Sequence, residues 1–282
     1  MRITNLHEEI KAYLTWSPLS LVIREICRLN SFRELLIQFP EEQELKILDV
    51  GCGDGKWWQS LNQLRKIDVH GIDINKAEIY KAKRFINASV IDITNKDSIS
   101  TLSNDYNVIV GNCSLEHIPN INQALKNINL LMQTNGTFIL YVPSPHWALR
   151  GKSIKLLEKF SPRLSMAYSG MINGFFQHWH LYHHEIWSHL LSNNGFEIVN
   201  IKGIGTSKLE YLFRLFLPTA FISFIFKVLT GRYLNFYLKY ITPDFVTDAI
   251  AKKLVPLIEN SLTDSEKTEE IFEYMIISRK RN

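Results

Sequence analysis

The sequence predicts an α/β fold in which a doubly wound, mostly parallel sheet of seven strands carries helical insertions. Short apolar runs alternate with helical patterns from about residue 45 to residue 204, and this alternation is typical of parallel sheets with helical crossovers. Glycines directly follow the first run, and Asn-Gly pairs precede two later ones, as expected for tight turns. The 282 residues are 46% apolar, which is enough to bury a core of this kind.

Each strand is predicted from a short apolar run, and each helix from apolar residues at three- and four-residue steps. The predicted strands are Lys46–Val50, Asp68–Ile74, Ser89–Ile93, Asn107–Val110, Thr137–Val142, Phe196–Ile201 and Ile271–Ser278. The helices between them lie near Trp57–Leu64, Lys76–Phe85, Ile121–Met132 and His184–Asn193.

Composition excludes several classes of protein. A net charge of +4 is too small to argue for a nucleic-acid partner. The three cysteines are far apart with no CxxC spacing, so a disulfide framework is not expected and a reducing, cytoplasmic location is. The amphipathic N-terminus does not resemble a secretory signal. The longest uncharged run of the apolar C-terminal part, Leu215–Phe226, is shorter than the ~20 residues of a spanning helix.

A glycine loop after the first strand predicts a ligand site. Gly51, Gly53 and Gly55 allow a sharp turn and a close approach of backbone to ligand. Asp73 ends the second predicted strand, where a carboxylate can accept both hydroxyls of a ribose. Asp92 lies near the end of the third, in a position to accept a hydrogen bond from a purine amine. The three strand ends therefore predict a nucleoside site.

The loop spacing favours a cationic nucleoside over a dinucleotide. Dinucleotide sites space their glycines G-x-G-x-x-G, whereas this loop is G-x-G-x-G. Asp49 precedes the loop and Asp54 lies within it. Two carboxylates would repel a pyrophosphate but suit a ligand that carries an ammonium and a sulfonium. A dinucleotide-dependent oxidoreductase is accordingly the least favoured alternative.

At these residues the chain resembles the class I S-adenosylmethionine-dependent methyltransferases, especially their small-molecule branch. Two further segments extend the resemblance: Asn112–Ile118 (NCSLEHI) after the fourth strand, and a histidine–aromatic–helix element that runs from His178 to Phe196. The resemblance covers about 45–145, 176–204 and the final strand. It implies a Rossmann-like fold with S-adenosylmethionine as cofactor. The residues that it implies for cofactor binding are Asp49, Gly51, Gly53, Gly55, Asp73, Ile74, Asp92, Ile93, Asn112 and Ser114.

The predicted organisation is one domain over residues 1–282. It comprises N-terminal helices (1–40), a cofactor-binding half (41–145), an insertion (146–183), a helix and strand (184–204), an apolar helical insertion (205–268) and the last strand (269–282).

Histidines are the candidate catalytic residues, because an acceptor hydroxyl or amine must lose a proton near neutral pH. His178 is the first candidate and His117, after the fourth strand, is the second. The cluster His178, His180, His183 and His184 has no nearby Cys or Asp to complete a tetrahedral set. We therefore predict no metal, and we predict that His183 starts the following helix.

The segment 205–241 is rich in aromatic and basic residues, and 218–230 is predicted as a helix that begins at Pro218 and ends at Gly231. Its narrow polar stripe indicates a buried or greasy environment. We expect it to cover a hydrophobic or lipid-like acceptor, with peripheral membrane contact as a weaker expectation. The leading hypothesis is methyl transfer at oxygen. The alternative is a non-catalytic regulator or partner subunit that binds the same cofactor. The oligomeric state is left open.

Overall fold

A computed structural model describes residues 6–62, 66–146, 152–260, 262–264 and 271–281. The predicted helix end at Leu64 and parts of both predicted insertions lie outside these residues. The chain packs as two compact units. The sheet unit comprises residues 42–59, 66–203 and 264–282, and the helical unit comprises residues 1–41, 60–65 and 204–263. Whether the two units form the single predicted domain stays a prediction.

The sheet has the predicted architecture. Its strands are β1 (Leu45–Val50), β2 (Ile67–Asp73), β3 (Asn87–Val90), β4 (Tyr106–Asn112), β5 (Met132–Pro143), β6 (Phe196–Ile204), β7 (Leu262–Asp264) and β8 (Glu273–Lys280). Their order is β3-β2-β1-β4-β5-β8-β6-β7. The pairs from β3 to β5 are parallel, and β8 is antiparallel to β5. The prediction of a mostly parallel, doubly wound sheet is confirmed, and the three-residue β7 is an additional edge strand.

Helices surround this sheet. They are α3 (Lys56–Leu61), α4 (Lys76–Ala82), α5 (Lys96–Ile99), α6 (Ile121–Leu131), α7 (Lys152–Phe160), α8 (Pro162–Phe175) and α9 (His184–Asn193). Asparagine side chains cap three of them: Asn75 accepts from Ala77 N at 2.9 Å at the start of α4, and Asn95 and Asn120 cap α5 and α6. These caps follow from the preference of a short amide side chain for the free N–H groups of a first turn.

The strand order reverses between β1 and β4: β2 and β3 lie on one side of β1, while β4 and β5 lie on the other. In open parallel sheets, ligands bind at such a switch point, outside the carboxyl ends of the strands. The glycine loop follows β1, and the Asn112–Ile118 segment follows β4. The topology therefore brings the two segments with the strongest sequence signals to one edge.

One predicted strand ends earlier than expected. β3 stops at Val90, so Asp92 and Ile93 lie in the turn that follows it. The Asp92 carboxylate accepts hydrogen bonds from Thr94 N at 2.8 Å and from Thr94 Oγ1 at 2.7 Å. Such side-chain bonds to nearby backbone compete with strand pairing, which explains the early end.

The helical unit is built from both ends of the chain. Its helices are α1 (Leu6–Leu14), α2 (Leu19–Leu36), α10 (Ser207–Thr230), α11 (Leu234–Leu238) and α12 (Asp244–Glu259). α10 packs along α2, and α1 packs along α12. Two ion pairs stabilise the interior: Arg33 with Glu9 at 2.5 Å, and Arg214 with Glu210 at 2.8 Å.

The prediction that a helix begins at Pro218 is wrong. α10 starts eleven residues earlier, where Thr206 accepts from Leu209 N at 3.4 Å, and it ends at Gly231 with φ 76°. Pro218 therefore lies inside the helix. Residues buried at helical spacing on both sides of it, Leu209, Phe213, Leu217 and Ala220, offset the lost backbone hydrogen bond.

The length of α10 also corrects the expectation about membrane spans. Residues Lys208–Thr230 have a mean hydropathy of 1.8 over their most apolar 18-residue window, and 22% of that window is buried. This helix is long enough and apolar enough to cross a membrane. A core helix of a soluble protein can meet the same two criteria, so its exposed surface has to decide its role.

Candidate functional site

The glycine loop takes the left-handed backbone that a sharp turn through glycines requires. Gly51, Gly53 and Gly55 have φ of 79°, 54° and 70°, values that L side chains rarely adopt. A Cβ on Gly51 would collide with Cβ of Ser114, whereas a Cβ on Gly53 would meet nothing within 4 Å among the described residues. The loop is thus packed against the β4 end at Gly51 and open at Gly53, where a ligand can approach its backbone.

Asp73 is tied directly to this loop. Gly53 N donates to Asp73 Oδ2 at 3.1 Å, and Asn75 N donates to Asp73 Oδ1 at 2.8 Å. The next residue, Ile74, keeps 74% of its surface exposed. The structure therefore places a carboxylate beside the open glycine, followed by an exposed apolar side chain, as a ribose and an adenine face would require.

Asp49 is the most perturbed carboxyl of the site. It is buried, and Trp58 Nε1 donates to its Oδ2 at 2.6 Å. Burial raises the pKa of Asp49, the hydrogen bond from Trp58 lowers it and the nearby Asp73 raises it, which together bring the pKa to about 7. The other oxygen, Oδ1, has no hydrogen-bond partner among the described residues. A buried acceptor of this kind costs free energy unless a ligand supplies a donor.

The β4 end supplies two more predicted residues. Asn112 Oδ1 is a second buried oxygen without a hydrogen-bond partner among the described residues. The hydroxyl of Ser114 donates to the carbonyl of Val50, the last residue of β1. Ser114 thus holds the glycine loop to β4, a packing role that the sequence did not reveal. Cys113 between them has φ 51°, which is unusual for a side chain other than glycine and typical of functional loops.

The remaining two predicted cofactor residues lie in the turn after β3. Asp92 is exposed and Ile93 is buried. Asn127 Nδ2 donates to the carbonyl of Ile93 at 2.7 Å, which fixes the turn against α6. Their assignment to the adenine edge stays a prediction.

A model of the methyltransferase domain family matches residues 23–201, more than half of the chain. The chain belongs to this family. Its fold is that of the class I S-adenosylmethionine-dependent methyltransferases, and S-adenosylmethionine is its cofactor. No curated protein matches the sequence.

Solved structures show the same fold at low identity. A methyltransferase from Archaeoglobus fulgidus is 16% identical, with 91% of this chain and 94% of that chain covered and a TM-score of 0.51. The [4+2]-cyclase SpnF is 14% identical, with 89% and 81% covered and a TM-score of 0.52. A structure described as a putative sarcosine dimethylglycine methyltransferase from Galdieria sulphuraria is 14% identical, with 90% of this chain and 83% of that chain covered and a TM-score of 0.52. The fold therefore occurs with more than one reaction.

The residues of this methyltransferase fit the cofactor. Asp49 Oδ1 and Asn112 Oδ1 are buried acceptors that an ammonium group can satisfy. Gly53 leaves open space beside Asp73, whose carboxylate can accept ribose hydroxyls. Asp54 accepts from Lys56 N at 3.2 Å and pairs with Lys56 Nζ at 3.3 Å, so most of its charge is directed at its own turn. Asp49 therefore fits a cationic ligand better than Asp54 does, and its role in binding stays a prediction.

The two candidate catalytic histidines lie together. His117 and His178 stack with ring centroids 5.3 Å apart, although 60 residues separate them in sequence. The backbone N–H groups of Trp179 and His180 both donate to the carbonyl of Glu116, at 2.8 and 3.1 Å. These bonds bring the His178 segment to the end of β4.

The other histidines of the cluster do not converge with His178. His180 bonds the carbonyl of Ile118 and the hydroxyl of Tyr182, and His184 lies against the ring of Tyr274. His183 is the residue before α9, as predicted, but its side chain makes no capping bond. Sequence analysis missed Trp58 and Glu116, because their roles depend on which carboxyl or imidazole the fold brings beside them.

Proposed function

We propose that this protein transfers the methyl group of S-adenosylmethionine to an oxygen of a small, hydrophobic or lipid-like acceptor. The observation that supports this most directly is the histidine pair at the carboxyl end of β4, on the edge that carries the glycine loop. When bound, the cofactor supplies a methyl group already activated by its positively charged sulfur. The acceptor must then lose a proton, and two imidazoles stand at this edge to take it.

The hydrogen bonds of the two rings set their tautomers for this role. His117 Nδ1 lies 3.1 Å from the carbonyl oxygen of Gln177, which can only accept. His178 Nδ1 lies 3.2 Å from Oδ1 of Asn173. Both Nδ1 atoms therefore carry hydrogen, and the lone pair of each neutral ring is on Nε2. In this proposal the Nε2 atom of His178 or His117 accepts the proton of the acceptor hydroxyl. Asp49 and Asp73 would orient the methyl donor, so that the positioning of donor and acceptor supplies most of the rest of the rate enhancement.

The test is transfer of a labelled methyl group from S-adenosylmethionine to a total lipid extract, with mass spectrometry of the purified protein to find any retained cofactor or acceptor. His178→Gln or His117→Gln should lower transfer by ~10²-fold or more while calorimetry shows unchanged cofactor affinity. His183→Gln is the matched control from the same segment. Label in water-soluble compounds alone would contradict a lipid-like acceptor. Tight cofactor binding without transfer to any extract would favour the non-catalytic regulator.

We also propose that the protein is cytoplasmic and meets a membrane through α10. Large apolar side chains stay exposed at helical spacing along the whole length of this helix: Tyr211, Leu215, Ile222, Ile225 and Leu229, with exposed fractions of 52–78%. Five such positions at steps of three, four and seven residues form one stripe. An exposed apolar stripe of this length is typical of helices that lie in a lipid interface.

Cations and aromatic rings at the end of the same segment support this orientation. Arg232 lies over the ring of Phe236 at 3.9 Å, and Lys239 lies over Phe236 at 4.2 Å and Tyr240 at 4.9 Å. Such pairs suit the headgroup region of a bilayer. Arg214, a basic residue of the same segment, keeps only 10% of its side chain exposed in its ion pair with Glu210 and is therefore not part of the proposed membrane surface. The expectation that 205–241 covers the acceptor site stays a prediction.

Liposome flotation tests the membrane proposal. Ile225→Glu with Leu229→Glu should abolish flotation, because two charges would enter the apolar stripe. Leu156→Glu, at an exposed apolar position of α7, is the control that should still float. Attraction to anionic lipid should weaken as salt screens it within ~8–10 Å. Absence of flotation at every salt concentration would exclude the proposal.

A further inference from the structure

Three potential metal ligands converge at the end of β4. Glu116, His117 and His178 each offer one ligand atom, and these atoms all lie within 4.8 Å of one another. All three residues belong to the sheet unit. Two imidazole nitrogens and one carboxylate oxygen form a donor set that zinc and other first-row divalent ions use in sites with open coordination positions. Magnesium and calcium prefer oxygen alone.

The outer hydrogen bonds of the two histidines are those of metal ligands. A ligating imidazole usually donates its other N–H to a carbonyl or carboxylate, which fixes the ring and directs its lone pair. His117 Nδ1 meets the carbonyl of Gln177 and His178 Nδ1 meets the side-chain carbonyl of Asn173. Both rings therefore direct Nε2 as the ligand atom.

The third ligand faces one of these nitrogens. Glu116 Oε1 lies 3.7 Å from His117 Nε2, and the Glu116 side chain is 1% exposed. A carboxylate oxygen and an imidazole lone pair repel each other unless a positive charge lies between them. A proton on His117 or a metal ion would satisfy this geometry, and His178 as a third ligand favours the metal.

The backbone makes the cluster rigid, as a metal site requires. The bonds from Trp179 N and His180 N to the Glu116 carbonyl hold the two chain segments together. The rings of Phe176 and His178 stack with their centroids 5.9 Å apart. Gln177, which lies between these two residues in sequence, has φ 53°. His117 keeps 38% of its side chain exposed, so that an ion has a path to the cluster.

We propose that Glu116, His117 and His178 bind one divalent transition-metal ion of the zinc class and leave at least one coordination position open. Small rotations of the three side chains would bring the ligand atoms to the ~2.0–2.2 Å that zinc requires. The binding of the ion does not depend on the proposed methyl transfer. Its use, holding an acceptor oxygen in the open position and favouring loss of its proton, does rest on the proposed function. It would replace the role of the Nε2 atoms as bases.

Calorimetry with Zn²⁺, on full-length protein without a histidine tag, tests the site. The parent should bind one ion per chain. Glu116→Gln, His117→Gln and His178→Gln should each weaken binding at least ~10-fold, and His183→Gln should leave it unchanged. Asn173→Ala removes an outer partner and should weaken binding ~10-fold or more. The visible spectrum of the Co²⁺ form should show nitrogen ligation that His178→Gln changes. Circular dichroism confirms folding of each variant.

Two results would overturn the site: less than one Zn²⁺ per chain in the parent, or equal losses in His183→Gln and the three ligand variants. A methyl-transfer assay with and without a chelator, together with the Zn²⁺ titration, separates this inference from the proposed function. Methyl transfer that continues after chelation, with no Zn²⁺ bound, would exclude a role for the metal in the reaction and would leave the two histidines as the bases. Stoichiometric Zn²⁺ binding without methyl transfer would leave the site and remove the proposed function.

Discussion

The two units each bury a carboxylate, and the two carboxylates differ in what surrounds them. In the helical unit, Glu210 is buried against Arg214 at 2.8 Å on the same helix. In the sheet unit, Asp49 is equally buried, but the side chain that donates to it is the neutral indole of Trp58, and burial raises its pKa to about 7. A buried carboxylate that is paired with a cation on its own helix is part of the packed structure and is costly to break, whereas a buried carboxylate without a cation beside it indicates a place for a cationic ligand.

The largest expected effect breaks the completed pair. Arg214→Met should destabilise the protein by about 3–5 kcal/mol, because it breaks a buried ion pair of Glu210. Denaturant unfolding followed by helical circular dichroism measures this. Arg232→Met, at an exposed arginine of the same unit, should change stability by less than ~0.5 kcal/mol. Equal losses in the two variants would show that Glu210 and Arg214 do not form a structural pair. Cofactor affinity should stay within about twofold in both, if the cofactor site belongs to the sheet unit alone.

The second effect tests the incomplete side of the comparison. Asp73→Ala should weaken S-adenosylmethionine binding roughly 5- to 150-fold, or ~1–3 kcal/mol, because ribose hydroxyls would lose their acceptor. Isothermal calorimetry gives the affinity, and a thermal melt shows that the variant is folded. Asp68→Ala, on the same strand but at its start, is the control. A folded Asp73→Ala protein with parental affinity would remove Asp73 from the cofactor site.

The smallest effect is a pH dependence at Asp49. With a pKa raised from 3.8 to about 7, the folded protein keeps a proton that the unfolded chain has already lost. Asp49 therefore costs stability increasingly as pH rises from about 4 through 7. A cationic cofactor favours the ionised carboxylate, so its affinity should rise about tenfold from pH 6 to pH 8, with release of a proton on binding. Asp49→Asn should weaken binding at pH 8 and abolish the slope. An unchanged slope in that variant would assign the titration to another group.

Much of the sheet unit can be predicted from local sequence. Strand runs, Asn-Gly turns and the glycine loop are short-range signals, and the parallel topology then sends the ends of β1, β2 and β4 to one edge. The contact between Gly53 and Asp73 follows from this, because both residues end or follow neighbouring strands. Asp92 is less predictable, since the bonds from Thr94 end β3 before it.

The sequence by itself determined the fold class, the family resemblance and the identity of the cofactor, because those depend on periodicity and on residues within one loop. Only the tertiary structure decided which side chains meet. Trp58 contacts Asp49, Glu116 lies beside His117 and His178, and Arg214 forms an ion pair with Glu210 that leaves little of it exposed. The tertiary structure also carried α10 through Pro218, because contacts with a helix almost 200 residues earlier bury one face of it. Such pairings depend on long-range packing, and the free energy of that packing outweighs local preferences such as the tendency of proline to begin a helix.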